Sequence, residues 1–523
     1  MAEGLFAGLD VSTQSCKLVV IDLDEETVAY TVTINYDQDL PHFGTQNGVI
    51  PGLESGISES EPGVWIEAVR LALGKLKDAG VALEHIRCLS VSGQQHGLVA
   101  LDSQGNLSRN RSKLWNDFST QEECALLTEA AGGLEAMIQE VGNSQRAGYT
   151  AAKIYHMLRH EPENFARAKT FILVHNYVNW YLTGGVRVME PGDASGTALW
   201  NPATGEWSQK ILRIIDPGLM DKLPPVKPSD QSIGPVSPVL VKELGFSPLC
   251  KIDAGSGDNM YGAVGTGNVR PGIVTISLGT SGTAYTFLED AFIDPRGEIA
   301  AFCDSTGHFL PLLCVSNLAN GYDALLAQSG ISHADFSRLI TQTQPGNAGR
   351  LLIPWYTGER TPDIPQAAPV YFGFELDDFS PEVLSRAILE GHVLNLFEGF
   401  RRMPVKPAEI RLTGGLSQSG DWCQTIADIF AAETVPAEGE GAALGAALHA
   451  AWVWLKEEGE EIALEELVAP FVHLKESLRK EPRPEYQETY RLQKALFHAL
   501  SQRLQGKEAE DPFILHAQLA KLR

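Results

Sequence analysis

Two segments far apart in the chain share one pattern, and this repetition most constrains how the chain can fold. "GLDVSTQSCKLVVID" begins at Gly8, and "TISLGTSGTAYTFLE" begins at Thr275. Each places a short turn rich in Ser, Thr or Gly between two hydrophobic β-type runs. Laying Asp10 on Ser277 brings Thr13 onto Thr280. The pattern predicts one β-hairpin in each half, from either a duplicated domain or two unrelated hairpins.

The rest of the chain alternates strand and helix patterns. Its 523 residues exceed what one compact core normally holds, so two large domains are expected. A helix is predicted over 61–80, followed by the strand "IRCLSVSG". A second β/α series starts at Lys251 and includes the strand "EIRLTGG" and the helix "GDWCQTIADIFAAE". Residues 216–238 are rich in proline and predict a connector. The alternation predicts an α/β fold.

Charge and cysteine content narrow the class of protein. The formal net charge of -25 and a pI of about 4.9 argue against nucleic-acid or anionic-membrane partners. Seven cysteines without a CxxC spacing indicate neither a disulfide framework nor a zinc site. With no secretory pattern at the N-terminus, a cytoplasmic location is expected. The longest apolar run, Ala442–Leu455, is too short to span a bilayer.

Both hairpin turns are candidate phosphate sites. Successive backbone N–H groups in a tight turn form a concavity that binds anions without fixed charge. Asp10, at the end of the first strand, is a candidate Mg²⁺ ligand. Neither turn has the GKS or GKT of a P-loop or a GxGxxG pattern. Taken alone, each segment is also compatible with an ordinary Asp/Ser or Gly turn.

The segments "SGQQHG" and "LWNDFST" supply polar and aromatic candidates. Gln95 and His96 follow a predicted strand and can hydrogen-bond sugar hydroxyls in either direction. A satisfied loop histidine is an equally good interpretation of His96. Trp115 offers an apolar floor, and Ser119 is predicted to cap the helix that follows it.

The stretch "DAGSGDNMYGAVGTG" sets Asp258 among glycines, between a strand and a predicted helix. A carboxylate at a helix N-terminus is stabilised in its charged form, so Asp258 could accept a proton from an attacking hydroxyl. Asn259 could hydrogen-bond the same substrate. Capping of the helix explains the Asp but not the glycines on both sides. Gly414 and Gly415, in "LTGGLSQS", could let a nucleotide lie against the backbone.

Together these segments resemble the FGGY carbohydrate kinase family, in that family's order, over residues 8–419. The matching segments are "GLDVSTQS", "SGQQHG", "LWNDFST", "DASGTALW", "GSGDN", "SLGTSG", "TGERTP" and "LTGGLSQS". "DVSTQ", "QQHG" and "DLPHFGTQNG" are most similar to eukaryotic members that phosphorylate D-xylulose.

The resemblance implies two actin-like (ribonuclease H-like) domains, 1–252 and 253–523, with the active site in the interdomain cleft. It implies ATP-dependent phosphorylation of D-xylulose to D-xylulose 5-phosphate, with ATP and Mg²⁺ as cofactors. Another ketose or polyol, such as ribulose, ribitol or glycerol, stays open as substrate, as does a catalytically silent sugar sensor. The family also makes a homodimer plausible.

The resemblance also assigns roles to residues. The catalytic pair is Asp258 as general base and Asp10 as the metal-linked aspartate. The sugar contacts are Gln95, His96, Asp258, Asn259, Trp115 and Arg146. The nucleotide and phosphate contacts are Ser12, Thr13, Gly279, Thr280, Ser281, Gly414, Gly415 and Gln418. Two departures stand out: many members have Gly where Ser12 stands, and the Gly-Arg that often follows "WND" is absent, with Arg146 as its candidate substitute.

Overall fold

The computed structural model describes residues 4–439 and 441–522. These residues form two compact units, each built from more than one stretch of chain. Unit 1 takes the described residues up to Arg270, then Phe287–Pro311 and Gly439–Val472. Unit 2 takes Pro271–Thr286, Leu312–Glu438 and the described residues from His473 onward.

The strands, in chain order, are β1 (Leu5–Val11), β2 (Ser15–Asp22), β3 (Thr27–Asn35), β4 (Glu59–Ser60), β5 (Ile86–Gly93), β6 (Val99–Leu101), β7 (Ser112–Lys113), β8 (Thr170–Ile172), β9 (Trp200–Asn201), β10 (Glu206–Trp207), β11 (Ser232–Pro235), β12 (Lys251–Asp253), β13 (Ser256–Gly257), β14 (Ile273–Leu278), β15 (Gly282–Thr286), β16 (Leu312–Val315), β17 (Leu351–Ile353), β18 (Val370–Phe372), β19 (Glu409–Thr413), β20 (Glu433–Glu438) and β21 (His473–Leu474).

The α-helices are α1 (Tyr36–Asp39), α2 (Gly63–Asp78), α3 (Gln121–Ala131), α4 (Leu134–Val141), α5 (Thr150–His160), α6 (Pro162–Arg167), α7 (Val174–Thr183), α8 (Pro191–Ser195), α9 (Gln209–Ile215), α10 (Pro238–Leu244), α11 (Asp258–Gly265), α12 (Asn320–Ser329), α13 (His333–Ile340), α14 (Pro381–Phe400), α15 (Gly420–Phe430), α16 (Gly441–Glu457), α17 (Leu464–Val468), α18 (Gln487–Leu504) and α19 (Pro512–Leu519).

The main sheet of unit 1 has the order β11-β12-β5-β1-β2-β3, with the short β13 also paired to β5. β1, β2 and β3 form an antiparallel meander, which confirms the first predicted hairpin. β5 runs parallel to β1, and this register sets Asp10 beside Ser92. The ends of β1 and β5 therefore meet at one edge of the sheet.

Both faces of this sheet are buried. Alternate residues of β1 point to opposite faces, so each face packs against a different layer. Leu9 belongs to the same hydrophobic cluster as Trp65 of α2. Phe6, on the other face, packs with the alanine-rich helix α16. Gly8 also faces α16, since a Cβ at this position would lie 2.1 Å from the Ala443 carbonyl oxygen. Asp10, two residues further along, points toward this same layer.

The main sheet of unit 2 repeats the arrangement, in the order β16-β15-β14-β19-β20-β21. β14 and β15 form the second predicted hairpin, β16 continues the antiparallel run, and β19 pairs with β14 in parallel. Each hairpin thus has a third antiparallel strand on one side and a parallel strand on the other. This shared topology supports a duplicated domain and confirms the predicted α/β class with two actin-like domains.

Two stretches differ from the sequence predictions. The predicted boundary after residue 252 assigned Asp258 to the C-terminal domain, whereas unit 1 extends to Arg270 because β13 pairs with β5 and α11 packs on α16. The proline-rich 216–238 is more than a connector, since β11 forms an edge strand there. Helix α18, near the C-terminus, is part of the core of unit 2: buried Tyr490 donates to a Glu390 carboxylate oxygen at 3.0 Å.

Candidate active site

The first hairpin turn makes hydrogen bonds within itself and to the loop that follows β5. The Ser12 N–H donates to the Ser15 carbonyl oxygen at 3.0 Å. Thr13 Oγ1 donates to Gln94 Oε1 at 3.3 Å, and Trp115 Nε1 donates to Thr13 Oγ1 at 3.0 Å. The Trp115 residue keeps 39% of its surface exposed. The indole therefore joins the hairpin turn while its surface stays available to a ligand.

Asp10 is held at the end of β1 by its neighbour on β5. Ser92 Oγ donates to Asp10 Oδ1 at 2.8 Å. Burial raises the pKa of Asp10 to about 6, although the hydrogen bond from Ser92 and the charge of Lys17 act to lower it. A nearby cation would therefore stabilise the charged form of the Asp10 carboxylate.

Asp258 is the first residue of α11, and Gly257 occupies the N-cap position. The Asp258 Oδ1 atom accepts from the Asn259 backbone N–H at 2.9 Å and from Asn259 Nδ2 at 3.0 Å. The same Nδ2 also donates to Gln95 Oε1 at 2.9 Å. The structure thus brings together Gln95, Asp258 and Asn259, which lie far apart in sequence.

The electrostatics of Asp258 differ from the sequence prediction that a helix N-terminus keeps it charged. Burial raises the pKa of Asp258 to about 7, together with the nearby carboxylates of Asp10 and Asp193. These effects exceed that of the hydrogen bonds at the start of the helix. A carboxyl with a pKa near neutrality is well matched to general-base catalysis.

Gln95 and His96 are both buried, and the structure fixes them differently. Gln95 Nε2 makes no hydrogen bond to any residue within 4–439 or 441–522, so this donor suits a polar ligand. His96 has a positive φ of 66°, and its carbonyl oxygen accepts from Lys153 Nζ at 2.8 Å. Its ring lies 4.6 Å from that of Tyr149 and 5.8 Å from that of Phe302. Burial and Lys153 lower the pKa of His96 to about 3, so the imidazole is neutral.

Two further candidates have contacts that the sequence did not indicate. Arg146 Nη2 donates to the carbonyl oxygens of Gly297 and Glu298, at 3.0 and 3.1 Å, and so anchors that segment of unit 1. Ser119 does not cap the next helix, contrary to the sequence prediction. Its Oγ donates to Asp117 Oδ1 at 2.5 Å, and α3 has no side-chain cap.

A buried polar network behind Asp258 was missed by sequence reasoning. Glu190 caps α8 by accepting from the backbone N–H groups of Gly192 and Asp193, each at 2.6 Å. Its other contacts are the hydroxyls of Ser229 and Ser256, at 3.0 and 3.1 Å. Because Ser256 lies two residues before Asp258, this network fixes the backbone that presents the proposed base.

Two buried histidines complete the network. His175 Nδ1 lies 2.6 Å from Asp193 Oδ2, and His449 Nδ1 lies 2.8 Å from Asp253 Oδ2. Although burial acts to lower it, the pKa of each histidine is raised by the adjacent aspartate. The signal in the sequence was the cluster of acidic and small residues in "EPGDASGT", but a sequence does not reveal which charges are buried.

Unit 2 brings its own candidates together at the ends of β14 and β19, which pair Ser277 with Thr413. The Thr280 carbonyl oxygen accepts from the N–H groups of Leu318 and Ala319, each at 3.1 Å, so the second turn is anchored. Gly279 and Ser281 flank Thr280 in this turn.

The glycine loop after β19 approaches the same hairpin. Gly414 has a φ of 83°, and a Cβ there would lie 2.6 Å from the Leu278 carbonyl oxygen. A Cβ at Gly415 would meet no atom within 4 Å, so this position is open. Gln418 Oε1 accepts from Lys475 Nζ at 2.6 Å. The close approach to Leu278 places Gly414 directly against the end of β14.

Comparison with known families matches two consecutive parts of the chain. Residues 5–265 match the N-terminal domain of the FGGY family of carbohydrate kinases, and residues 274–454 match its C-terminal domain. The chain belongs to the FGGY family of carbohydrate kinases. The sequence resemblance to FGGY kinases is therefore confirmed.

Individual FGGY relatives cover almost the whole chain. It is 35% identical over 489 residues to the xylulose kinase of Haemophilus influenzae, covering 91% of this chain and 95% of that protein. The mouse xylulose kinase is 31% identical over 529 residues, covering 95% and 94%. The crystal structure of a xylulose kinase from Bifidobacterium adolescentis superimposes with a TM-score of 0.79 at 28% identity, covering 94% of this chain and 99% of that one.

Among residues 4–439 and 441–522, no helix is both long and apolar enough to cross a bilayer.

Proposed function

We propose that this FGGY kinase transfers the γ-phosphoryl group of ATP to O5 of D-xylulose, giving D-xylulose 5-phosphate and ADP. The observation that carries the proposal is the group formed by Asp258, Asn259 and Gln95, with Asp10 as an electrostatic neighbour. The choice of sugar is supported by relatives named xylulose kinase at up to 35% identity.

In this proposal the chemistry requires positioning and charge stabilisation more than covalent participation by the protein. The O5 hydroxyl gives its proton to the Asp258 carboxylate as the O5–P bond forms. The bond between the γ-phosphorus and the bridging oxygen breaks, and ADP leaves with the electron pair. Gln95, Asn259 and the neutral ring of His96 would bind sugar hydroxyls, and Trp115 would pack against the carbon chain.

Arg146 is the least direct of the proposed sugar contacts. Its guanidinium is already bonded to the carbonyl oxygens of Gly297 and Glu298. Any contribution to sugar binding would therefore include the ordering of that segment.

The neighbouring carboxyl groups of Asp10, Asp193 and Asp258 in unit 1 fit a divalent cation. Asp10 and Asp193 both raise the pKa of Asp258, so a positive charge near them would relieve mutual repulsion. Carboxylate oxygens and water are the ligands that Mg²⁺ prefers. Asp10 would hold the ion, directly or through water. The ion would neutralise charge on the phosphate oxygens.

We assign the phosphates to the two hairpin turns and the adenosine to the glycine loop after β19. Ser12 and Thr13 in unit 1, and Gly279, Thr280 and Ser281 in unit 2, lie in the two hairpin turns. Gly414, Gly415 and Gln418 are assigned to the adenosine. The proposal further places the enzyme in the cytoplasm as a homodimer, without nucleic-acid or membrane partners.

Sugar-dependent release of ADP tests the proposed function. D-Xylulose should stimulate ADP formation, and ribulose, ribitol and glycerol should do so less at equal concentration. Stimulation mainly by another sugar would overturn the choice of substrate. Release of ADP without any sugar would indicate an ATPase, and no release under any condition would indicate a silent sensor.

Gly257→Ala probes the sugar contacts without touching a charge. A Cβ at residue 257 would lie 2.7 Å from Gln95 Cγ and 2.9 Å from its Cδ, so the amide must move. The Gln95 contact to Asn259 would weaken, and the KM for D-xylulose should rise several-fold, since one neutral hydrogen bond contributes about 0.5–1.5 kcal/mol. The KM for ATP should stay unchanged. An unaltered sugar KM would argue against Gln95 as a sugar contact.

A further inference from the structure

A cluster on the surface of unit 1 has the donor set of a transition-metal site and no part in the proposed phosphoryl transfer. His156 and His160 lie one turn apart on α5, and Glu123 faces them from α3. One ligand atom from each residue lies within 4.8 Å of the other two. We propose that Glu123, His156 and His160 bind one divalent transition-metal ion with the chemistry of zinc.

The distances suit tetrahedral coordination. His156 Nδ1 lies 3.4 Å from Glu123 Oε2, and His160 Nε2 lies 3.1 Å from Glu123 Oε1. Ligand bonds of about 2.0–2.2 Å place two ligands of a tetrahedral zinc ion roughly 3.3–3.5 Å apart. Each histidine–glutamate separation, one to each carboxylate oxygen of Glu123, lies within a few tenths of an ångström of this spacing.

The ligand atoms are oriented and accessible. His156 Nδ1 is buried and makes no hydrogen bond within residues 4–439 and 441–522, although it faces the Glu123 carboxylate. The side chain of Glu123 is 1% exposed and that of His160 is 47% exposed. One ligand is thus fixed in the protein and another lies at the surface, where an ion can enter and water can complete the coordination.

The charge of the cluster leaves room for a cation. Arg159 donates to Glu123 Oε1 at 2.5 Å and to Glu122 Oε1 at 2.6 Å, so its guanidinium competes for Glu123. The carboxylates of Glu122 and Glu123 carry two negative charges and the Arg159 guanidinium one positive charge, so one net negative charge faces the ion. Lys113, a further nearby cation, is already paired with Glu59 and Asp117.

The donor set selects the class of ion. Two imidazoles and one carboxylate favour zinc and its neighbours Co²⁺, Ni²⁺ and Cu²⁺ over Mg²⁺, which prefers oxygen ligands. The sequence signal was the His-x₃-His spacing, which cysteine counting does not detect. Metal binding would clamp α3 to α5, the helix whose Lys153 holds the His96 carbonyl group.

Titration of the metal-free full chain with Co²⁺, followed by visible absorption, tests the site. The wild type should bind one equivalent with the strong bands of tetrahedral cobalt. Zn²⁺ should displace these bands, and excess Mg²⁺ should not. His160→Gln and His156→Gln should each weaken binding by more than about 10-fold, since even the outer partners of metal ligands contribute ~10–100-fold.

Two controls separate this site from others on the chain. His42→Gln removes a surface histidine that lies 3.1 Å from Glu67 Oε2, a single His–Glu pair, and should leave the cobalt spectrum intact. Asp10→Asn should also preserve it, which excludes the proposed magnesium ligand as its source. Absence of tetrahedral bands in the wild type, or equal bands in the His156 and His160 variants, would overturn the proposal whether or not the kinase assignment holds.

Discussion

Replacing Asp258 by Asn is expected to lower kcat for D-xylulose phosphorylation by about 10²–10⁴-fold, the usual contribution of a positioned general base. This loss corresponds to roughly 3–5 kcal/mol of barrier. The amide cannot accept the proton of the sugar hydroxyl at neutral pH. Its oxygen can still accept from the Asn259 N–H and Nδ2, which now donate to Asp258 Oδ1 at 2.9 and 3.0 Å.

Sugar affinity should therefore change much less than kcat. Measurement of kcat and KM by ADP release, with D-xylulose binding followed by calorimetry, distinguishes these two effects. Asp335→Asn is a suitable control, because Asp335 also lies in the first turn of a helix, α13, but in unit 2. It should retain full kcat and lose about 1 kcal/mol of stability at most from its capping box. If Asp258→Asn retains near-normal kcat, Asp258 is not the base.

The glycines around Asp258 show where sequence reasoning worked and where it failed. In the sequence, capping of the helix explains the Asp but leaves the glycines on both sides without a reason. The structure shows protein neighbours: Gly257 lies against Gln95, and a Cβ at Gly255 would lie 2.7 Å from the Val91 carbonyl oxygen. Such neighbours come from distant parts of the chain, so no local pattern identifies them.

Local patterns predicted the elements more successfully than their partners. Both hairpins, the helix Gly63–Asp78 and the strands Ile86–Gly93 and Glu409–Thr413 follow directly from turn residues and hydrophobic periodicity. The return of Gly439–Val472 to unit 1 could not be predicted in this way. The sequence of α16 predicts only an apolar helix. Its packing on β1 depends on the steric fit between the two elements, which the hydrophobic pattern of the sequence does not show.

The role of α16 leads to the second large effect, on stability. Gly445→Ala should destabilise unit 1 by about 3 kcal/mol, the upper part of the range for overpacked cores. A Cβ at Gly445 would lie 1.9 Å from the Tyr261 carbonyl oxygen and 2.9 Å from the Gly265 nitrogen. Both are backbone atoms of α11, so no side-chain rotation can relieve the overlap and the two helices must separate.

Separation of α11 from α16 would also disturb catalysis, since Asp258 begins α11 and Tyr261 hydrogen-bonds Ser90 at 2.8 Å. Thermal unfolding of Gly445→Ala should show a Tm lower by several degrees, together with reduced kcat. Gly74→Ala is the matched control, because Gly74 lies inside α2 and a Cβ there meets no atom within 4 Å. That variant should gain about 0.5–1 kcal/mol, since Ala favours helix more than Gly. An unchanged Tm for Gly445→Ala would mean that α11 and α16 do not pack this closely.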